Sequence, residues 1–234
     1  MNKGHINGTV KDIKAGEKFS TATIEVTNPD GKTKSFQRLI AFGKAAEALK
    51  EGAAMVEGRI QTGSYTNKDG QKVYTTDVVA TSVQKSNATI GINDFVEHGR
   101  LTRDVSVKEY TGKDGTTSKV TRGTIAVDRR GKTDGPTADF IGFVAFGKTA
   151  EFMEKYLHKG SEVVIDGRLQ SGSYNAKDGT KVYTNDLVVN SVEFAGPKAA
   201  APATTAETAE PVPADADGFV PVEAEYEGDG LPFN

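Results

Sequence analysis

The chain has no cysteine. Disulfides, thiolate zinc sites and cysteine nucleophiles are therefore excluded, and a reducing cytoplasm is the expected compartment. Nowhere do about 18 uncharged apolar residues run together, and the opening MNKGHINGTV lacks the apolar stretch of a signal peptide. The expectation is a soluble chain with no membrane partner. Histidine is scarce: His5, His98 and His158 show neither metal-ligand spacing nor an HExxH motif, so no metal site is expected. Three KDG turns, at 68–70, 113–115 and 177–179, use Asp for turn geometry, and no carboxylates form an evident acid/base pair. No catalytic residue and no cofactor is assigned, and the chain reads as a non-enzyme.

What is present is a body and a tail of opposite charge. The whole chain carries a net charge of −3. Residues 195–234 hold eight acids (Glu207, Glu210, Asp215, Asp217, Glu223, Glu225, Glu227 and Asp229) against one base, Lys198, a net of −7. The first 194 residues are then basic by +4. The tail is rich in Ala, Pro, Thr and acids without periodicity. It cannot bury enough apolar surface to offset ordering entropy, and disorder is expected. The last residues, 228–234, return to apolar character and read as a docking tip on an acidic tether.

Internal repetition organises the body. GSYTNKDGQKVYTTDVV at 63–79 matches GSYNAKDGTKVYTNDLV at 172–188 in 12 of 17 positions. AFGK at 41–44 recurs at 145–148, and EGR at 57–59 corresponds to DGR at 166–168. The landmarks keep their order, which defines a duplicated domain. The second copy has a longer insert, GKTAEFMEKYLHKG against GKAAEALKEG, in a predicted short helix.

Each copy reads as β-β-β-α-β-β. In the second, strands are expected at 94–110, 119–127, 137–146, 162–174 and 181–194, with a helix over 149–157. Five short strands with one helix between the third and fourth is the order of an OB-fold barrel. If Asp69-Gly70 form the centre of a type I′ hairpin turn, Tyr65 falls opposite Tyr74. The same count around Asp178-Gly179 pairs Tyr174 with Tyr183.

Phe36 and Phe42 are an even number of residues apart, as are Phe140 and Phe146, so each pair shares one strand face. Facing outward with the hairpin tyrosines, they would stack against bases, a sequence-tolerant contact worth roughly 1–3 kcal/mol per base. Facing inward they would be core. The tyrosines and the duplication favour the outward reading, with Ile141, Phe143 and Ala145 filling the barrel. Arg38, Lys44, Arg59, Arg129, Arg130, Lys132, Lys148 and Arg168, with Lys72 and Lys181 nearby, could follow a phosphate backbone. Residues 142–149 also fit the G-x-x-x-x-G-K-T pattern of a phosphate-binding loop. Their intervening residues are apolar and strand-like, and residues 37–45 of the first copy lack the pattern, so the match is read as chance.

GRLTRD at 99–104 and the stretch at 138–194, with its GKTAE-helix-KG-GRL-Y-KDG-Y order, resemble bacterial single-stranded DNA-binding proteins. The first repeat, 4–84, looks like a trimmed version of the same domain. The resemblance implies an OB-fold that wraps single-stranded DNA, with stacking positions at Phe140, Phe146 and Tyr174, and by repeat at Phe36, Phe42 and Tyr65. It implies a role in DNA replication, recombination and repair, a nucleoid-associated place in the cytoplasm, and four OB-folds assembled from a homodimer. The end EGDGLPFN is similar to the family's acidic docking tip, with Asp229, Leu231, Pro232 and Phe233 as partner-binding residues. Leu231 stands where the family has isoleucine, and Asn234 follows Phe233.

The expected architecture is all-β: a first OB-fold at 1–86, a linker at 87–93, a second OB-fold at 94–194, a disordered acidic linker at 195–227 and the tip at 228–234. The alternative function is a protein-interaction or assembly module of the replication machinery in which only the second repeat binds DNA.

Overall fold

The computed structural model of the chain describes residues 1–66, 70, 72–87, 91–111, 115–129, 131, 135–175 and 181–196. The acidic tail and its tip lie outside these residues. Apolar and polar residues alternate along most of the body, and strands follow that period. In chain order the elements are β1 (Asn2–Ala15), β2 (Ser20–Thr27), β3 (Lys34–Ala41), α1 (Gly43–Ala48), β4 (Gly52–Thr66), β5 (Lys72–Lys85), β6 (Asn93–Leu101), β7 (Ser106–Thr111), β8 (Thr117–Asp128), β9 (Ala138–Phe146), α2 (Gly147–Tyr156), β10 (Glu162–Asn175) and β11 (Lys181–Phe194).

β1 pairs with both β2 and β4, while β3 joins β2 to β5 and β5 joins β4, which closes the first five strands into a barrel. The second barrel closes in the same way through β6, β8, β9, β11 and β10. Each barrel places its helix between the third and fourth strands, so the fold is all-β with two tandem OB-folds. Ile6, Ile24, Leu39 and Ile60 fill the first barrel, and Ile125, Ile141, Phe143, Ile165 and Leu169 the second, all essentially without solvent contact. Burial of each such side chain contributes about 1.5–3 kcal/mol.

The single strand expected over 94–110 is instead two, β6 and β7. Thr102 turns the chain away from the barrel by donating both its amide, at 3.0 Å, and its hydroxyl, at 3.1 Å, to the carbonyl of Thr124. Among the described residues, β7 then pairs only with β8. The first copy takes the same bend within a continuous β1, through an irregularity between Lys11 and Lys14. A period-2 pattern does not distinguish a bulge from a break. The helix α2 starts two residues earlier than the sequence pattern suggests, with Phe146 in extended geometry as its N-cap.

The two barrels share one sheet, because β1 pairs antiparallel with β6 from Asn2↔Glu97 to Ile6↔Asn93. These two outer pairs are counterparts in the repeat, so the barrels face one another across a pseudo-twofold centred on Gly4↔Phe95. Gly4 is glycine for space: a Cβ there would lie 2.3 Å from the ring of fully buried Phe95. The symmetry extends to matching clamps. Asn2 receives the Ile60 amide (2.8 Å) and donates to the Ile60 carbonyl (2.7 Å), while Asn93 does the same with Leu169 (3.0 and 2.7 Å).

Candidate nucleic-acid interface

Strand alternation decides which aromatic residues reach the surface. On β3, Ser35, Gln37, Leu39 and Ala41 point inward, leaving Phe36 and Arg38 outside. On β9, Asp139, Ile141, Phe143 and Ala145 are buried, and Phe140 lies on the opposite face. Phe36 is 49% exposed and Phe140 59%. Phe42 is exposed at the start of α1, and Phe146 is half-buried at the start of α2. The expected inward set of Ile141, Phe143 and Ala145 is thus observed.

The backbone amides of the two outward Phe residues are held by the opposite barrel. Phe140 donates to the Thr62 hydroxyl at 3.0 Å, and Phe36 donates to the Ser171 hydroxyl at 2.9 Å. Thr62 and Ser171 are repeat counterparts, as are Phe36 and Phe140, so these bonds are a reciprocal clasp. Each exposed ring therefore projects from a strand whose height is set by the other copy.

The hairpin expectation fails by one residue. Tyr65 pairs with Val73 and Tyr74 with Ser64, so the two rings take opposite faces of the ribbon. In the second copy Tyr174 pairs with Val182 and Tyr183 with Ser173. Five residues separate the paired Thr66 and Lys72, an odd number that a two-residue turn does not provide. Gly70 takes φ +77°, the left-handed position that longer hairpin loops assign to glycine. Asp69, Asp178 and Gly179 lie outside the described residues. Tyr65 and Tyr74 are nonetheless both exposed, and the Lys72 ammonium sits 5.3 Å from the Tyr74 ring centre.

Sequence reasoning missed Phe19, which is exposed with its ring centre 5.8 Å from that of Phe42. It lies between β1 and β2 and outside every repeat landmark, so no pattern marked it.

The expected basic residues divide into surface groups and structural ones. Lys44 and Lys148 are exposed on the two helices. Arg38 is half exposed, with its Nε 3.8 Å from Asp77. Arg168 donates to Asn190 at 3.2 Å, and its burial pulls the guanidinium below its usual pKa. Arg59 donates to Gln61 at 2.6 Å and lies 3.6 Å from Asp139. Arg129, in contrast, is only 14% exposed in its side chain. Its Nη2 donates to the Thr62 carbonyl at 2.8 Å and to Asp139 at 2.6 Å. Asp139 in turn accepts the Thr62 amide at 2.7 Å. This group joins the barrels, and a phosphate would have to displace it. Arg130 and Lys132 lie outside the described residues, as do Asp229, Leu231, Pro232 and Phe233. A further surface base unmarked by sequence, Arg122, approaches Asp186 at 3.7 Å. Its repeat counterpart is Thr21, which is why the duplication did not point to it.

The glycine-rich match at 142–149 is strand from Gly142 to Phe146 and helix beyond, with Phe143, Val144 and Ala145 buried. Residues 142–146 are extended strand, so they do not form the flexible turn whose amides would encircle a phosphate. Among the described residues, no helix is long and apolar enough to cross a membrane, and no group of three His, Asp or Glu residues could hold a metal ion.

The model of the single-strand binding protein family matches this chain twice, over residues 7–86 and 92–195. The chain belongs to that family. Within the family it is 45% identical over 103 residues to a single-stranded DNA-binding protein of Clostridium perfringens. That alignment covers 44% of this chain and 65% of the relative, just under two thirds of its length. A Staphylococcus aureus relative, single-stranded DNA-binding protein 1, is 39% identical over 112 residues, covering 46% of this chain and 67% of its own. The crystal structure of wild-type single-stranded DNA binding protein from Thermus aquaticus superposes with a TM-score of 0.62 at 21% identity, over 88% of this chain and 97% of that one. The last comparison places the two family domains in one fold.

Proposed function

We propose that this chain binds single-stranded DNA, largely independently of sequence, by stacking bases on outward aromatics and tracking phosphates with surface bases. The relatives named above carry that activity in their names. The observation that carries the reading is the pair Phe36 and Phe140: large apolar rings left half exposed at matching sites, each with its amide fixed by the other barrel. A ring left half in water on a fixed strand offers a face on which an unpaired base can stack. Phe42, Phe146, Tyr65, Tyr74, Tyr174 and Tyr183 extend the stacking surface, and Arg38, Lys44, Arg59, Arg130, Lys132, Lys148 and Arg168 supply phosphate contacts. The chemistry is binding without catalysis.

The same reading gives the parts their roles. The barrels at 1–86 and 94–194, joined at 87–93, protect single strands during replication, recombination and repair. The acidic segment 195–227 tethers a docking tip at 228–234 that recruits partner proteins through Asp229, Leu231, Pro232 and Phe233. Two chains forming a homodimer present four barrels to one strand.

Fluorescence anisotropy with a labelled dT oligomer tests the reading. Affinity should fall with salt at roughly −0.7 in log-log slope per neutralised phosphate. Alanine at Phe36 or at Phe140 should weaken binding by roughly tenfold each, since neither ring contributes to the core. Absence of binding at low salt would overturn the proposal.

A further inference from the structure

A carboxylate on a face that meets a polyanion calls for an explanation, because it repels phosphate unless it serves another contact. Both copies place one there, Asp77 on β5 and Asp186 on β11. Each alternates with buried core residues, Val78 and Leu187, and so points out of its barrel.

The two copies cover this carboxylate differently. In the first, Arg38 on β3 stands beside it, and the Asp77 side chain is 10% exposed. In the second, the counterpart of Arg38 is Gly142, and the Asp186 side chain is 27% exposed. The base near Asp186 is Arg122, which reaches from β8 across the gap the glycine leaves. Gly142 shares its strand face with Phe140. A Cβ on it would stand 3.3 Å from the Asp186 carboxylate, so the missing side chain opens a notch directly over that group. A cavity of about 80 Å³ occupies this place, lined by Arg122, Thr124, Gly142 and Asp186 among others. It has room for several water-sized groups. Its floor is an acceptor, its rim is a donor, and an exposed aromatic ring stands next to it.

Resting on the single-stranded DNA reading above, we infer that this notch receives the edge of a base stacked on Phe140 and makes the second barrel prefer cytosine over uracil or thymine. Asp186 accepts from the exocyclic amine, and Arg122 donates to the adjacent ring acceptor. Cytosine offers that donor beside that acceptor, whereas the carbonyl at the same position of uracil or thymine would face the carboxylate. The first barrel, with Arg38 over Asp77, lacks the notch and does not discriminate. The preference is a property of one half of the chain.

Oligomers of dC and dU test this, because the two bases stack with nearly the same area and differ at the edge the notch reads. At neutral pH the wild-type chain should bind dC about fivefold or more tightly than dU. Asp186→Asn, and separately Gly142→Arg, which restores the arrangement of the first barrel, should bring the ratio to within about twofold. Equal wild-type affinities, or a ratio unchanged in both variants, would overturn the notch while leaving DNA binding in place. Failure to bind either oligomer would instead remove the underlying DNA-binding reading.

Discussion

The amide of Phe140 on β9 donates to the hydroxyl of Thr62 on β4, 3.0 Å away in the other barrel. Thr62→Val keeps the shape of the side chain and removes the acceptor. The Phe140 amide loses its partner and Asp139 loses the hydroxyl's 3.3 Å bond, together a cost of about 1 kcal/mol. Urea unfolding should register that loss, and dT affinity should weaken with it because the ring next to the amide is less firmly held. The Ser171→Ala counterpart should act on the Phe36 side in the same sense. Full affinity in the double variant would show that the clasp does not position the rings.

Asp139 is the acid that Arg129 and Arg59 share at the junction, with its side chain 1% exposed. Asp139→Ala leaves two guanidinium groups at the seam without their counter-charge. Removing one member of such a buried group costs about 3 kcal/mol. The denaturant midpoint should fall accordingly, and Asp139→Asn, which keeps an acceptor for the Thr62 amide, should fall less. Equal loss in both variants would assign the whole effect to the charge and none to the acceptor, and no loss in Asp139→Asn would mean that charge is not what the junction needs.

Glu97 gives stability an unusual pH dependence. It is fully buried beside the junction, and among the described residues neither carboxylate oxygen has a hydrogen-bond partner. Burial pushes its pKa up to about 9, with Asp139 adding repulsion. The unfolded chain releases this proton near 4.5, while the native chain keeps it to about 9. Stability from this group is therefore highest below 4.5 and falls as pH rises to about 9, costing about 3 kcal/mol at pH 7. Glu97→Gln should flatten that slope in denaturation curves taken across the range. A slope as steep in the variant would assign it to another group.

Removal of residues 197–234 takes away a net charge of −7 and spares the Ala195 amide, which donates to Glu162 at 2.9 Å. On the proposed reading the acidic segment is a like-charged competitor of DNA for the basic side chains of the body. Affinity for dT at low salt should stay the same or rise by a few fold, and the gain should vanish as salt screens the charges. Weaker binding by the shortened chain would contradict that role for the tail.

How much of this was visible beforehand depends on the range of the interaction. The outward placement of Phe36 and Phe140 follows from the period of a strand and could be read from their neighbours. The repeat revealed both barrels because it samples the same local pattern twice. Register at the tyrosine hairpins depends on loop length and turn type, and KDG suits more than one loop. The role of Arg129 rests on Thr62, 67 residues away, which only the assembled sheet brings close. Phe19 and Arg122 have no counterpart in the other copy, and what duplication does not repeat it cannot flag.

The pairing around Gly4 and Phe95 has one more consequence. Two separate chains joined by such strands would part on dilution and would carry every substitution on both sides of their axis. Here one backbone holds both sides, so the junction does not depend on concentration. Each half can also differ from the other, as Gly142 in one barrel differs from Arg38 in the other.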